Sequence, residues 1–249
     1  MYNFRIIPRL EIKSGKVVKG MRMEGLKVMG DPTLLGKKYY NGLADELICE
    51  DIVATLYSRK FDKNLIKNLS KKIHIPIIAG GGVKSENDIF QLLKNGASKI
   101  LINTEFYKNS QLLNKASKRF GKQCMVIQIQ YQKINGSYYC FHTSGREKTK
   151  ITVIDCIKKA INLGAGEIHL ISIFNDGMEN GMEFEFLKKV RSICSIPIVA
   201  GGGIGHIKHI DKLIDLNFDG VALGTILHKK KAEINEIKKS IKKKKMIRN

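Results

Sequence analysis

Residues 75–83 read IPIIAGGGV and residues 196–204 read IPIVAGGGI, so Pro76 recurs as Pro197, 121 positions on. Two further pairs keep that offset, Glu46 with Glu167 and Thr104 with Thr225. Solenoid repeats run to about 20–50 residues, so a repeat of this length marks a duplicated half-domain.

Between these anchors, short apolar runs alternate with amphipathic stretches. The strand pattern falls on 6–12, 46–52, 76–79, 99–103, 125–130, 167–173, 197–200 and 220–223. The helical pattern falls on 63–73, 86–95, 152–163, 183–193, 207–216 and 232–243. Eight strand-then-helix units, four per copy, predict an α/β fold: one (β/α)8 TIM barrel over residues 1–249, built from two duplicated half-barrels. Insertions follow the first strand (13–31, rich in Gly and Lys, read as a loop) and the fifth, where 133–143 reads as a hairpin around Asn135-Gly136.

The composition excludes several classes. With 43% hydrophobic residues in 249 and a mean hydropathy of −0.17, the chain can bury a substantial core, which argues against overall disorder. No run approaches the roughly 18 apolar residues of a membrane span, and charges interrupt the opening MYNFRIIPRLEIKSGK before a signal-peptide core forms. A cytoplasmic protein is expected. Five cysteines (Cys49, Cys124, Cys140, Cys156, Cys194) without a CxxC pair read as reduced thiols. His206 and His209 can share a helical face, but no Cys, Asp or Glu cluster completes a site, so neither a metal nor a cofactor is expected. The formal charge is +21, and residues 229–249 hold nine lysines and Arg248 against Glu233 and Glu236. Lysine dominates, Trp is absent and no aromatic interleaving occurs, so this stretch reads as a solvated C-terminal helix and tail rather than a nucleic-acid or membrane surface.

In such a barrel, chemistry sits at the C-terminal strand ends. There lie Gly80-Gly81-Gly82 and Gly201-Gly202-Gly203, joined by Asn103-Thr104 and Gly224-Thr225. Glycine triplets let bare N–H groups converge on an oxyanion, so two phosphate cradles face each other across the mouth. Their two-fold placement predicts a small substrate phosphorylated at each end.

Taken together, RIIPRLEIKSGKVVKG (5–20), GDP (30–32), ADEL (44–47), GGG, INT (102–104), LGAGEI (163–168), DG (176–177) and AGGGIG (200–205) resemble the HisF-type cyclase subunit of imidazole glycerol phosphate synthase. The likeness runs collinearly from about Arg5 to the final helix. It implies a HisH-type glutaminase partner beneath the barrel and ammonia passing along the barrel axis. There the ammonia meets a ribulosyl aminoimidazole carboxamide nucleotide, giving imidazole glycerol phosphate and a purine precursor in histidine biosynthesis. The resemblance places an ammonia gate at Arg5, Glu46, Lys99 and Glu167. It puts phosphate-side positions at Gly81, Gly82, Asn103, Thr104, Asp176, Gly177, Gly202, Gly203, Gly224 and Thr225, with Asp51 also on the substrate side, and a catalytic lysine of a flexible first loop at Lys19.

The family's acid–base pair of aspartates falls on Glu11 and Gln130. Glutamine cannot exchange a proton at neutral pH, and a carboxylate moved by ~1 Å can already cost 10²-fold in rate. Neighbouring positions differ as well: Arg9 for cysteine, Leu101 for serine, Ile171 for threonine, and Ser98 for the floor aspartate. Arg9 either plugs the axis or contacts an anion. The resemblance therefore favours a specialised paralogue that passes ammonia onward, with a third amidotransferase subunit aminating a sugar in surface-polysaccharide biosynthesis. Two alternatives stand beside it. One is an orthodox cyclase in histidine biosynthesis, and the other a catalytically silent module that senses a bisphosphorylated metabolite.

Overall fold

The computed structural model describes residues 4–248, and their side chains up to Lys243. Eight strands close into a parallel barrel: β1 (Arg5–Lys13), β4 (Leu47–Asp51), β5 (Ile77–Gly80), β6 (Lys99–Ile102), β7 (Met125–Ile134), β10 (Glu167–Ser172), β11 (Ile198–Gly201) and β12 (Gly220–Leu223). Each pairs in parallel with the next, and β12 returns to β1 through Arg5↔Gly220 to Pro8↔Leu223. The eight strands predicted from the repeat are these, within a residue or two except that β7 runs four residues longer.

The outer layer holds α1 (Pro32–Asn41), α2 (Lys63–Ser70), α3 (Glu86–Lys94), α5 (Gln111–Phe120), α6 (Val153–Asn162), α7 (Phe184–Ile193), α8 (Ile207–Asp215) and α10 (Ile234–Arg248). Short helices α4 (Thr104–Lys108) and α9 (Thr225–His228) follow β6 and β12. Helix starts follow local chemistry. Asp31 accepts from the N–H groups of Thr33 and Leu34 with Pro32 at the first turn, while Ser85 and Thr152 cap α3 and α6. None of the helices is long and apolar enough to cross a membrane among the described residues. The Lys-rich end of α10 beyond Lys243, which includes Lys244, Lys245 and Arg248, lies outside the residues whose side chains are described.

Two apolar bodies result. The larger lies between strands and helices, built from outward strand residues such as Leu10, Cys49 and Ile127 against Ile66, Leu113 and Leu187. The smaller fills the lumen: Ile7, Ile48, Ile78, Leu101, Val126, Ile171, Val199 and Ala222. Side chains alternate along a strand, so the residues two steps from this girdle also face the lumen. That alternation places Arg5, Arg9 and Glu11 on one face of β1 with Ile7.

The insertions fall at matching places in the two halves. After β7, β8 (Ser137–His142) turns back at Asn135-Gly136, whose φ angles of 47° and 82° suit a two-residue hairpin, and β9 (Glu147–Thr152) extends it. After β1, the stretch read as a loop is a second hairpin, β2 (Lys16–Met21) and β3 (Glu24–Gly30), and β2 pairs back on β1 through Glu11↔Val18.

Candidate functional site

The barrel floor is closed by a ring of alternating charge. Arg5 Nη1 lies 3.0 Å from Glu46 Oε1 and 3.1 Å from Glu167 Oε2. Lys99 Nζ lies 2.9 Å and 2.7 Å from the same two carboxylates. All four expected gate residues meet here. Burial opposes the ionised form of Glu167, yet His169, Arg5 and Lys99 outweigh it and hold its pKa far below the carboxylate range. His169, wholly buried on β10, brings Nε2 to 2.8 Å from Glu167 Oε1. Ser98 is exposed, and its N–H donates to the Ile77 carbonyl.

Above the girdle sits a second network whose side chains are all buried. Arg9 Nη1 is 2.8 Å from Glu11 Oε1, and Arg9 Nη2 is 3.0 Å from Glu50 Oε2. Gln128 Nε2 donates to Glu50 at 2.9 Å, Gln130 Nε2 donates to Gln128 Oε1 at 2.9 Å, and the Gly145 N–H donates to Gln130 Oε1 at 2.8 Å. The two readings of Arg9 thus resolve together: it lies in the lumen, and the anions it contacts are the chain's own Glu11 and Glu50. Glu11 and Gln130 do not meet as a pair, being joined only through Arg9, Glu50 and Gln128. Glu50, Gln128 and His169 are the members that sequence reasoning missed. Their period-2 place beside Ile48, Val126 and Ile171 is the signal that could have found them.

Lys19, expected on a flexible loop, is instead on β2 and buried, with Nζ 2.9 Å from Glu11 Oε2 and 2.6 Å from Asp176 Oδ2. Its hairpin is clasped to the loop after β10, because the Arg22 N–H donates to the Asp176 carbonyl at 2.7 Å. Gly177 (φ 79°) permits that approach, since a Cβ there would lie 2.3 Å from the Gly20 carbonyl oxygen. Burial opposes the charge of Glu11, but Arg9 and Lys19 overcome it and lower its pKa. Burial opposes the charge of Lys19 as well, but Asp176 and Glu11 overcome it and raise its pKa. For Asp176, burial prevails over Lys19 and the value rises. Asp176, expected on the phosphate side, has its carboxylate against the Lys19 ammonium.

The two glycine cradles repeat each other closely. Asn103 and Gly224 adopt nearly the same backbone, φ −124° and −117° with ψ −84° in both. Gly81, Gly82, Gly202 and Gly203 all have positive φ. A Cβ on Gly81 would meet the Asp51 carbonyl oxygen at 2.2 Å, and one on Gly202 the Ser172 carbonyl oxygen at 2.5 Å, again 121 positions apart. Gly202→Ala is therefore expected to cost about 2 kcal/mol through left-handed strain alone, read as a lower urea midpoint. A narrow cavity at the first cradle is lined by Asp51, Gly81, Gly82, Asn103, Thr104 and Ser144, and another of about 110 Å³ holds Lys19, Gly177 and Thr225. Asn103 Nδ2 donates to the Gln128 carbonyl at 3.0 Å, the Thr143 N–H donates to Thr104 Oγ1 at 3.2 Å, and Ser144 Oγ donates to the Ile52 carbonyl, so the β8–β9 turn is tied over this cradle. Asp51, expected on the substrate side, is bound by Arg59, with Nη2 at 2.9 Å. Outside the mouth, His206 caps α8 and His209 Nδ1 accepts from the Gly205 N–H; among the described residues no group of three or more His, Cys, Asp or Glu is placed to hold a metal.

His228 supports the network from behind. Its Nε2 lies 3.1 Å from the Arg9 carbonyl oxygen and its Nδ1 2.7 Å from Tyr39 Oη. A carbonyl only accepts, so Nε2 carries the hydrogen and Nδ1 accepts from the tyrosine. Burial lowers its pKa to about 4, against 6.5 when free. The unfolded chain then binds the extra proton between those values, so this contribution to stability is complete above pH 6.5 and falls as the pH drops toward 4. Between pH 6.5 and 5 the loss is about 2 kcal/mol. His228→Asn is expected to remove that part of the slope in urea unfolding series, and an unchanged slope would contradict it.

Residues 5–233 match the family described as histidine biosynthesis protein. The chain is 40% identical over 243 residues to the imidazole glycerol phosphate synthase subunit HisF of Flavobacterium psychrophilum, covering 97% of each. It is 38% identical over 245 residues to that of Staphylococcus aureus, covering 97% of each. To that of an Exiguobacterium species it is 36% identical over 238 residues, covering 96% of this chain and 93% of the relative.

Proposed function

Because the chain belongs to the histidine biosynthesis family, among the HisF subunits of imidazole glycerol phosphate synthase, we propose that it is a HisF-type barrel specialised for guiding ammonia rather than for ring closure. In this reading a HisH-type glutaminase docks beneath the floor ring, and Arg5, Glu46, Lys99 and Glu167 gate the inlet. The two cradles hold a small ligand with a phosphate at each end. Gly81, Gly82, Asn103 and Thr104 bind one phosphate, and Gly177, Gly202, Gly203, Gly224 and Thr225 bind the other through backbone N–H groups and the Thr hydroxyls. The ammonia goes to a further acceptor, such as a sugar aminated by a third subunit in surface-polysaccharide biosynthesis. Five free cysteines accord with a reducing cytoplasm.

The observation that carries the reading is the engagement of positions 11 and 130. Gln130 spends both ends of its amide on Gln128 and Gly145. Glu11 is held ionised between Arg9 and Lys19. Ring closure by acid–base catalysis needs one group that gives a proton and another that takes it near the working pH. An amide can do neither, and a carboxylate with a lowered pKa is a poor acid. Purified chain given excess ammonium at alkaline pH and the ribulosyl aminoimidazole carboxamide nucleotide is therefore expected to form no imidazole glycerol phosphate above the uncatalysed rate. Product formation would overturn the reading. It would favour the orthodox cyclase of histidine biosynthesis, which full-length likeness to proteins named HisF supports equally.

A further inference from the structure

We propose that His169 forms an ammonia site inside the barrel, its Nδ1 accepting one N–H of a neutral ammonia molecule just above the floor ring. This inference rests on the ammonia-guiding reading. His169 is wholly buried, and its Nε2 faces Glu167 Oε1 at 2.8 Å. The carboxylate accepts, so Nε2 carries the hydrogen, and in that tautomer Nδ1 presents a bare lone pair. That Nδ1 is buried without a hydrogen-bond partner. Leaving a buried polar atom unsatisfied opposes folding, and such atoms cluster where function keeps them.

Its position defines the ligand. His169 lies two residues above Glu167 on the same face of β10, roughly 6.6 Å at about 3.3 Å per residue. Its register neighbour across β10–β7 is Gln128, the lower end of the upper network. The lumen lining beside them is aliphatic: Ile7, Ile48, Val126 and Ile171. A cation stripped of water would be costly there, whereas a small neutral donor would not. The molecule that enters through the gate has that character, with three N–H donors and no charge. His169 thus offers a polar foothold between the charged floor and the Arg9–Glu50 network.

The test uses the full chain with 15N-labelled histidine and long-range 1H–15N spectra. His169 is assigned by loss of one of six imidazole signals in His169→Leu, or through its backbone if that variant does not fold. Ammonium chloride is titrated at pH 9, where much of it is ammonia, against tetramethylammonium chloride at equal ionic strength. A saturable shift of His169 Nδ1 with the first salt alone, with His74, His142, His206, His209 and His228 unmoved, is the expected result. No shift, or the same shift with both salts, would overturn the site and leave water as the only guest of that nitrogen. Glutaminase stimulation is measured separately. A shift without stimulation keeps the site and removes the partner reading, while stimulation without a shift does the reverse.

Discussion

Glu167→Leu is expected to lower the unfolding free energy by about 3 kcal/mol, near the lower end of the range for breaking one member of a buried charge network. Glu167 is the hub of the floor: Arg5, Lys99 and His169 all bind its carboxylate. Leucine fills similar space but strands two cations facing Glu46 alone. Their side chains are 16% and 18% exposed, so water relieves part of the penalty. Glu167→Gln, which retains shape and an acceptor, is expected to lose less. Lys38→Ala, which breaks an exposed pair with Glu233, is expected to stay within about 0.5 kcal/mol of the parent. The pH dependence carries the same signature. The pKa of Glu167 is depressed in the folded state, so its contribution is present above the ordinary carboxylate value and fades as the pH falls below it. Urea unfolding of the four proteins at pH 7 and pH 4 measures both. A loss in Glu167→Leu no larger than in Lys38→Ala would mean that the ring holds nothing together.

The barrel was legible because duplication writes the same strand and turn twice. The pair at Pro76 and Pro197 fixed β5 and β11, and the constant offset then carried the reading to β4, β10 and both cradles. The matched ψ of −84° at Asn103 and Gly224 is that symmetry realised in the backbone. The first hairpin was not legible. Along β2, the buried Val17 and Val18 are adjacent rather than alternating, and β3 is mostly exposed, so neither strand shows a period of two. What holds them is β1 on one side and, for Lys19, the carboxylates of Glu11 on β1 and of Asp176, 157 positions away. The upper network escaped for a related reason. Glu50 within LICED looks like a polar strand end, and its partners Arg9 and Gln128 lie 41 and 78 positions away, brought together only by closure of the barrel. Sequence pattern gives the face a side chain points to. It does not give the side chain waiting on the opposite wall.

That opposite-wall pairing makes a sharp energetic prediction. Arg9→Leu is expected to cost about 4 kcal/mol, because it leaves Glu50 without its cation and Glu11 with Lys19 alone, all of them buried. Glu50→Leu is expected to cost less, about 2–3 kcal/mol, since Arg9 retains Glu11 and only the Gln128 amide loses an acceptor. Burying either charge alone is the expensive step, and removing both avoids it. Arg9→Leu/Glu50→Leu should therefore lie within about 1–2 kcal/mol of the parent, far above the sum of the single losses, because the girdle of Ile7, Ile48 and Leu101 would continue upward as an apolar lining. The difference is a coupling energy of several kcal/mol, obtained from a double-mutant cycle in urea. If the single losses simply add, Arg9 and Glu50 do not depend on one another, and the polar closure of the upper lumen is not a unit. With coupling as expected, the double variant keeps Glu11 and Lys19 while clearing the bridge that ties Glu11 to the Gln130 side, so the ammonium assay repeated on it asks whether that bridge, or the missing carboxylate at position 130, withholds ring closure.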